Sequence, residues 1–109
     1  MELSFATADL RSLCESRRRA RKLLGNEAAA LLAQLLADIE ACASMTELIG
    51  LLHGQVAAAD GDRWCTTVTA DCRVVFGCGH VTVPRTKAGA VDWRRVSRVK
   101  ILQIGAHDG

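Results

Sequence analysis

Residues 64–76 read Trp-Cys-Thr-Thr-Val-Thr-Ala-Asp-Cys-Arg-Val-Val-Phe, and this stretch decides the fold. Trp64 to Val68 is β-branched and aromatic, Ala70-Asp71 fits a tight turn, and Cys72 to Phe76 returns with the same character, so the segment predicts a β-hairpin. Downstream, His80 to Val83 reads as a continuing strand before a breaker-rich connector, Pro84 to Gly89. Val99 to Ile104 reads as a closing strand buried on both faces.

Upstream the period changes. Leu3 and Phe5 suggest a short opening strand, and Thr7 can cap a helix whose first turn holds Asp9. Leu10, Leu13, Cys14, Ala20 and Leu24 carry that helix to Gly25, with Asn26 as the next cap. A second helix follows from about Glu27 to Ala43, with Leu31, Leu32, Leu35, Leu36 and Ile39 as its apolar stripe. Ser44 to Asp62, with Gly50, Gly54 and Asp60-Gly61, reads as a loop partly packed on the core. The prediction is a single α+β domain over residues 1–109: an N-terminal strand, then a helical hairpin on one face of a mostly antiparallel sheet, in the order β-α-α-β-β-β.

Composition bounds the function. A chain of 109 residues, half apolar and with a single proline, is long enough for one core and unlike a disordered tail. The opening Met1-Glu-Leu-Ser-Phe5 has no basic or apolar leader, and Ala28 to Ala37 is too short to span a bilayer, which predicts a cytoplasmic protein with no membrane partner. The five cysteines (Cys14, Cys42, Cys65, Cys72, Cys78) contain no CxxC pair and read as reduced thiols. Cys72, Cys78 and His80 are of metal-ligating type, but their spacing fits no zinc knuckle, so no metal or other cofactor is expected.

Net charge is only +2, yet it is unevenly placed. Arg11 to Lys22 and Arg85 to Lys100 carry six basic residues each, while Asn26 to Asp62 has six acidic residues and no Lys or Arg. Should the basic segments meet in space, they form a positive face toward phosphates; otherwise Arg17-Arg18-Arg19 is a solvated helix face.

Three blocks carry a family resemblance. Phe5-Ala-Thr-x-x-Leu-x-x-Leu-Cys-Glu15 resembles the opening strand and helix of HigB-like toxins, the plasmid-maintenance killer branch of the RelE/ParE superfamily. Trp64-x-x-x-Val68 with Cys72-Arg-Val-Val-Phe76 is similar to that family's tryptophan and arginine strands. Asp92-Trp93-x-x-Val96 with Val99-Lys-Ile-Leu-x-Ile104 resembles its Asp-Trp turn and closing strand.

The resemblance implies a RelE-like fold with two helices on one side of a sheet and an RNA-facing surface on the other. It also implies a toxin that cleaves mRNA, commonly on the ribosome, without a metal. In that reaction the ribose 2′-OH attacks the adjacent phosphate, so the protein must move protons and neutralise the crowded phosphorane. A cognate antitoxin with a helix-turn-helix part is implied as partner, and operator DNA only through it.

Arg73 matches the family arginine, and its planar guanidinium can hold two phosphate oxygens; the structural alternative is a pairing with Asp71. His107 stands where the family ends in Asp-Tyr-His, and His53 stands in for an upstream histidine, as the proton carriers. The window before Trp64 lacks the lysine that relatives often carry there. Arg63, Arg94, Arg95, Arg98 and Lys100 are the candidate RNA-backbone contacts, and Trp64 and Trp93 read as core. Two alternatives stay open: a ParE-like DNA gyrase poison, and a catalytically degenerate homologue serving only antitoxin binding and operator control.

Overall fold

The structure, a computed structural model, describes residues 1–52, 55–60 and 62–105. Directly after β1 (Glu2–Phe5), the extended Thr7 accepts a bond from the Leu10 amide and starts α1 (Ala8–Glu15). The periodicity predicts one helix through to Leu24, but Ser16 divides it. Its backbone is extended, its amide donates to the Ser12 carbonyl to close α1, and its hydroxyl accepts from the Arg19 amide to open α2 (Arg17–Leu24). Gly25, at φ 89°, ends α2 by donating its amide to the Arg21 carbonyl, and α3 (Asn26–Ala41) starts from it without a side-chain cap.

The stretch predicted as a loop, 44–62, holds two elements instead. Ser44 accepts from the Glu47 amide and the Glu47 carboxylate accepts from the Ala43 amide, a reciprocal cap that opens α4 (Met45–Leu51). Met45 and Leu48 are fully buried, which fixes α4 on the core. Further on, β2 (Val56–Asp60) pairs antiparallel with β3 (Arg63–Thr69). Among the described residues there are therefore four α-helices rather than two, and the order β-α-α-β-β-β is corrected accordingly.

The predicted hairpin forms as read. β3 and β4 (Cys72–Cys78) run antiparallel across Ala70-Asp71, with Trp64 facing Phe76 and Thr69 facing Cys72. β5 (Arg98–Gly105) pairs antiparallel with β4 and parallel with β1, giving a mixed five-stranded sheet ordered β1-β5-β4-β3-β2.

Two strand expectations change. His80 to Val83 forms no strand, because Gly79 is pressed against β5 and the chain turns outward beyond it. A Cβ on Gly79 would lie 3.2 Å from both Ser4 Oγ and the Val99 backbone. His80 Nε2 then accepts from the Ser97 amide at 2.9 Å, clasping the loop. β5 is buried on one face only: Val99 and Ile101 are enclosed, while Gln103 is exposed.

The core lies between the helices and one face of the sheet. Leu32, Leu36 and Ile39 of α3, with Met45 and Leu48 of α4, meet Val74, Phe76, Val99 and Ile101. A smaller cluster of Leu13, Ala20 and Ala29 joins α1, α2 and α3 and touches Ile104. Trp64 and Trp93, the latter in a 3-10 turn (Trp93–Arg95), pack against the main core edge to face. No helix of the described residues is long and apolar enough to cross a membrane.

Candidate nucleic-acid interface

Strand register decides which side chains can meet a ligand, since neighbours across a ladder share a face. Val74 and Phe76 pack into the core, so Arg73, one residue out of phase, lies on the face without helices, between Thr67 and Gly105. It is half-buried, and its Nε is enclosed with no hydrogen-bond partner among the described residues. A pairing with Asp71 is not among the ion pairs formed, and no described carboxylate lies within 4.0 Å of the guanidinium. A buried guanidine N–H without a partner is costly, and an anionic oxygen is the group that would satisfy it.

The five candidate backbone contacts divide sharply. Asp60 accepts from Arg63 Nε at 2.7 Å with a second contact to its Nη2 at 2.6 Å, and that bond holds the Asp60 carboxyl below its ordinary range. Asp92 is depressed likewise, first by its bond from Arg95 Nε at 3.0 Å and further by Arg94 Nε at 3.3 Å. Arg98 is paired with Glu2 at 2.9 Å, which the parallel β1–β5 ladder brings alongside it. Only Lys100 has no carboxylate partner among the described residues, and it sits opposite Gly77 and Ser4 on the face of Arg73. The two positions lie four residue steps apart along β4, or about 13 Å at the backbone, on the same face of the sheet.

His53 and His107, the predicted proton carriers, lie outside the described residues. Among the described residues no three His, Cys, Asp or Glu side chains gather as metal ligands. Three of the thiols are held away from the reactive thiolate form: burial pushes Cys14 up to about 11, and burial raises Cys42 and Cys72 as well.

The two basic segments do not form one face. α2 packs on α3 beside Ile104, near the end of β5, whereas the Trp93–Arg95 turn precedes its start and packs near α4. What the sequence reading left undecided is the state of α2 itself. Arg17, Arg18, Arg19, Arg21 and Lys22 are all exposed, and none has a carboxylate within 4.0 Å among the described residues. Compared with known proteins, the chain matches no family model, no curated protein and no solved structure.

Proposed function

We propose that this chain is a toxin of a type II toxin–antitoxin system, a RelE-like protein of the HigB-like branch, acting as a metal-independent mRNA endoribonuclease in the cytoplasm. The observation that carries the reading is Arg73: a guanidinium on the helix-free face of the sheet, with an enclosed Nε and, among the described residues, no carboxylate beside it. In the proposed reaction the 2′-OH attacks its neighbouring phosphorus, the bond to the 5′ oxygen breaks, and a 2′,3′-cyclic phosphate and a 5′-OH end result. Arg73 holds the non-bridging oxygens as charge builds on them. His107 and His53 are the proposed proton carriers, taking the proton of the 2′-OH and returning one to the 5′ oxygen. Its partners are mRNA on the ribosome and a helix-turn-helix antitoxin that alone reaches operator DNA.

The test is to incubate purified protein with ribosomes and mRNA and map the new ends. Cuts phased with codons that vanish with Arg73→Ala support the reading. Their absence beside inhibited gyrase supercoiling would overturn it in favour of a ParE-like poison. One observation does favour a contact-only or degenerate protein: Arg63, Arg94, Arg95 and Arg98 are occupied by carboxylates. A chain that slows no growth on overexpression, and whose Arg73→Ala variant behaves identically, would fit that second reading.

A further inference from the structure

We infer that α2 is a docking surface for the phosphate backbone of a folded nucleic acid, separate from the sheet face that carries Arg73. Five cations on an eight-residue helix form a costly arrangement. Arg17 with Arg21, Arg18 with Arg21 and Lys22, and Arg19 with Lys22 are like charges at helical contact spacing. The first turn holds three arginines and no acid, so it opposes the helix dipole. Elsewhere in the molecule Arg63, Arg85, Arg94, Arg95 and Arg98 each have a carboxylate partner. On α2 no such compensation exists among the described residues, and Arg19 reaches only the Ser12 hydroxyl at 2.7 Å. A local arrangement that costs stability without internal return marks a surface whose counter-charge comes from outside.

The charge density selects the occupant. Eight helical residues span about 12 Å, so α2 presents one cation per roughly 2.4 Å of axis. Duplex nucleic acid carries one negative charge per about 1.7 Å, whereas an extended acidic peptide offers at most one per about 3.3 Å. Four of the five cations are arginines, whose forked donors match phosphate oxygens. A lipid surface fits poorly, because α2 spends Ala20 and Leu24 on the protein's own packing and leaves Leu23 alone outside, 64% exposed. Glu27 and Asp71 line the cleft of about 720 Å³ beyond Leu23, so the backbone follows α2 and does not enter that cleft. Ile104, adjacent to the register partner of Arg73, packs into the α1–α2 cluster. α2 therefore grips from the helical layer at the end of the sheet where Arg73 lies.

This inference is independent of cleavage and is tested by binding alone. Fluorescence anisotropy with a labelled RNA hairpin, the same sequence as duplex DNA, and polyglutamate, each across a salt series, compares the full chain with Arg17→Gln/Arg18→Gln/Arg21→Gln/Lys22→Gln. The expected result is at least a tenfold loss of hairpin affinity, with the logarithmic salt slope shallower by about three. Lys87→Gln, which removes an exposed cation outside α2 and outside the candidate contacts, is expected to leave both unchanged. Equal loss on DNA identifies general phosphodiester recognition, and loss confined to the hairpin assigns A-form RNA; both support the surface. An unchanged slope in a quadruple variant of unchanged circular dichroism, or tighter binding to polyglutamate than to the hairpin, overturns it. Should the quadruple variant misfold, single Arg21→Gln and Lys22→Gln changes each lower the slope by about one.

Discussion

Trp64 and Trp93 meet edge to face, with ring centroids 5.7 Å apart and planes inclined by 76°. This contact fastens the 3-10 turn of the long β4–β5 connection to the β3 strand. Trp93→Ala is expected to lower unfolding free energy by about 2 kcal/mol, combining lost burial with a pair term of about 1 kcal/mol. Urea titrations of both single variants and the double variant isolate the pair term; strictly additive losses would show that the rings merely lie near one another.

Asp92 titrates below the ordinary carboxylate range because Arg95, and then Arg94, donates to it. A depressed folded value means that this contribution is fully present above about pH 4 and is lost as pH falls through the folded value. The stability difference between the native chain and Asp92→Asn is therefore largest near neutrality and shrinks in acid. Chemical denaturation at a series of pH values checks this, and a pH-independent difference would contradict it.

Ser44 and Glu47 cap α4 reciprocally. Ser44→Ala is expected to cost about 1 kcal/mol, and Glu47→Ala somewhat less, because each frees an amide at the helix start. Hydrogen exchange localises the loss: protection should fall in 45–51 before it falls in the sheet.

A Cβ on Gly79 would stand 3.2–3.3 Å from Ser4 Oγ and the Arg98–Val99 backbone, tighter than ordinary van der Waals contact. Gly79→Ala is expected to cost about 1–3 kcal/mol by pushing the β4–β5 connection away from β1. The measurable sign is early exchange of β1 amides relative to those of β3; unchanged exchange there would point to relaxation elsewhere.

The 64–76 hairpin was legible because alternating β-branched residues flank a turn pair, and both strands lie where that pattern puts them. α4 is hard to read from the sequence although Ser44-x-x-Glu47 stands there as a start signal, since glycines at 50 and 54 are also loop signals. β2 is not legible in the sequence because its middle, Ala57 to Ala59, has weak strand preference and gains its order from pairing with β3. Within the candidate site, the position of Arg73 on a strand followed from its neighbours, but its freedom from Asp71 depends on the actual turn geometry. The pairs Asp60–Arg63 and Asp92–Arg95, three residues apart, were visible in principle as local charge couples. Glu2–Arg98 was not, because only the parallel pairing of β1 with β5 joins the two ends of the chain.

That pairing also sets a schedule for synthesis. Glu2 meets Arg98 and Phe5 meets Ile101, so the first strand emerges long before its neighbour exists, and β4 lacks its second partner for as long. Until the closing strand arrives, two strand edges and the apolar underside of α3 wait unsatisfied, a state prone to self-association. A nascent chain stalled before Arg98 should consequently be a substrate for chaperones rather than a stable intermediate.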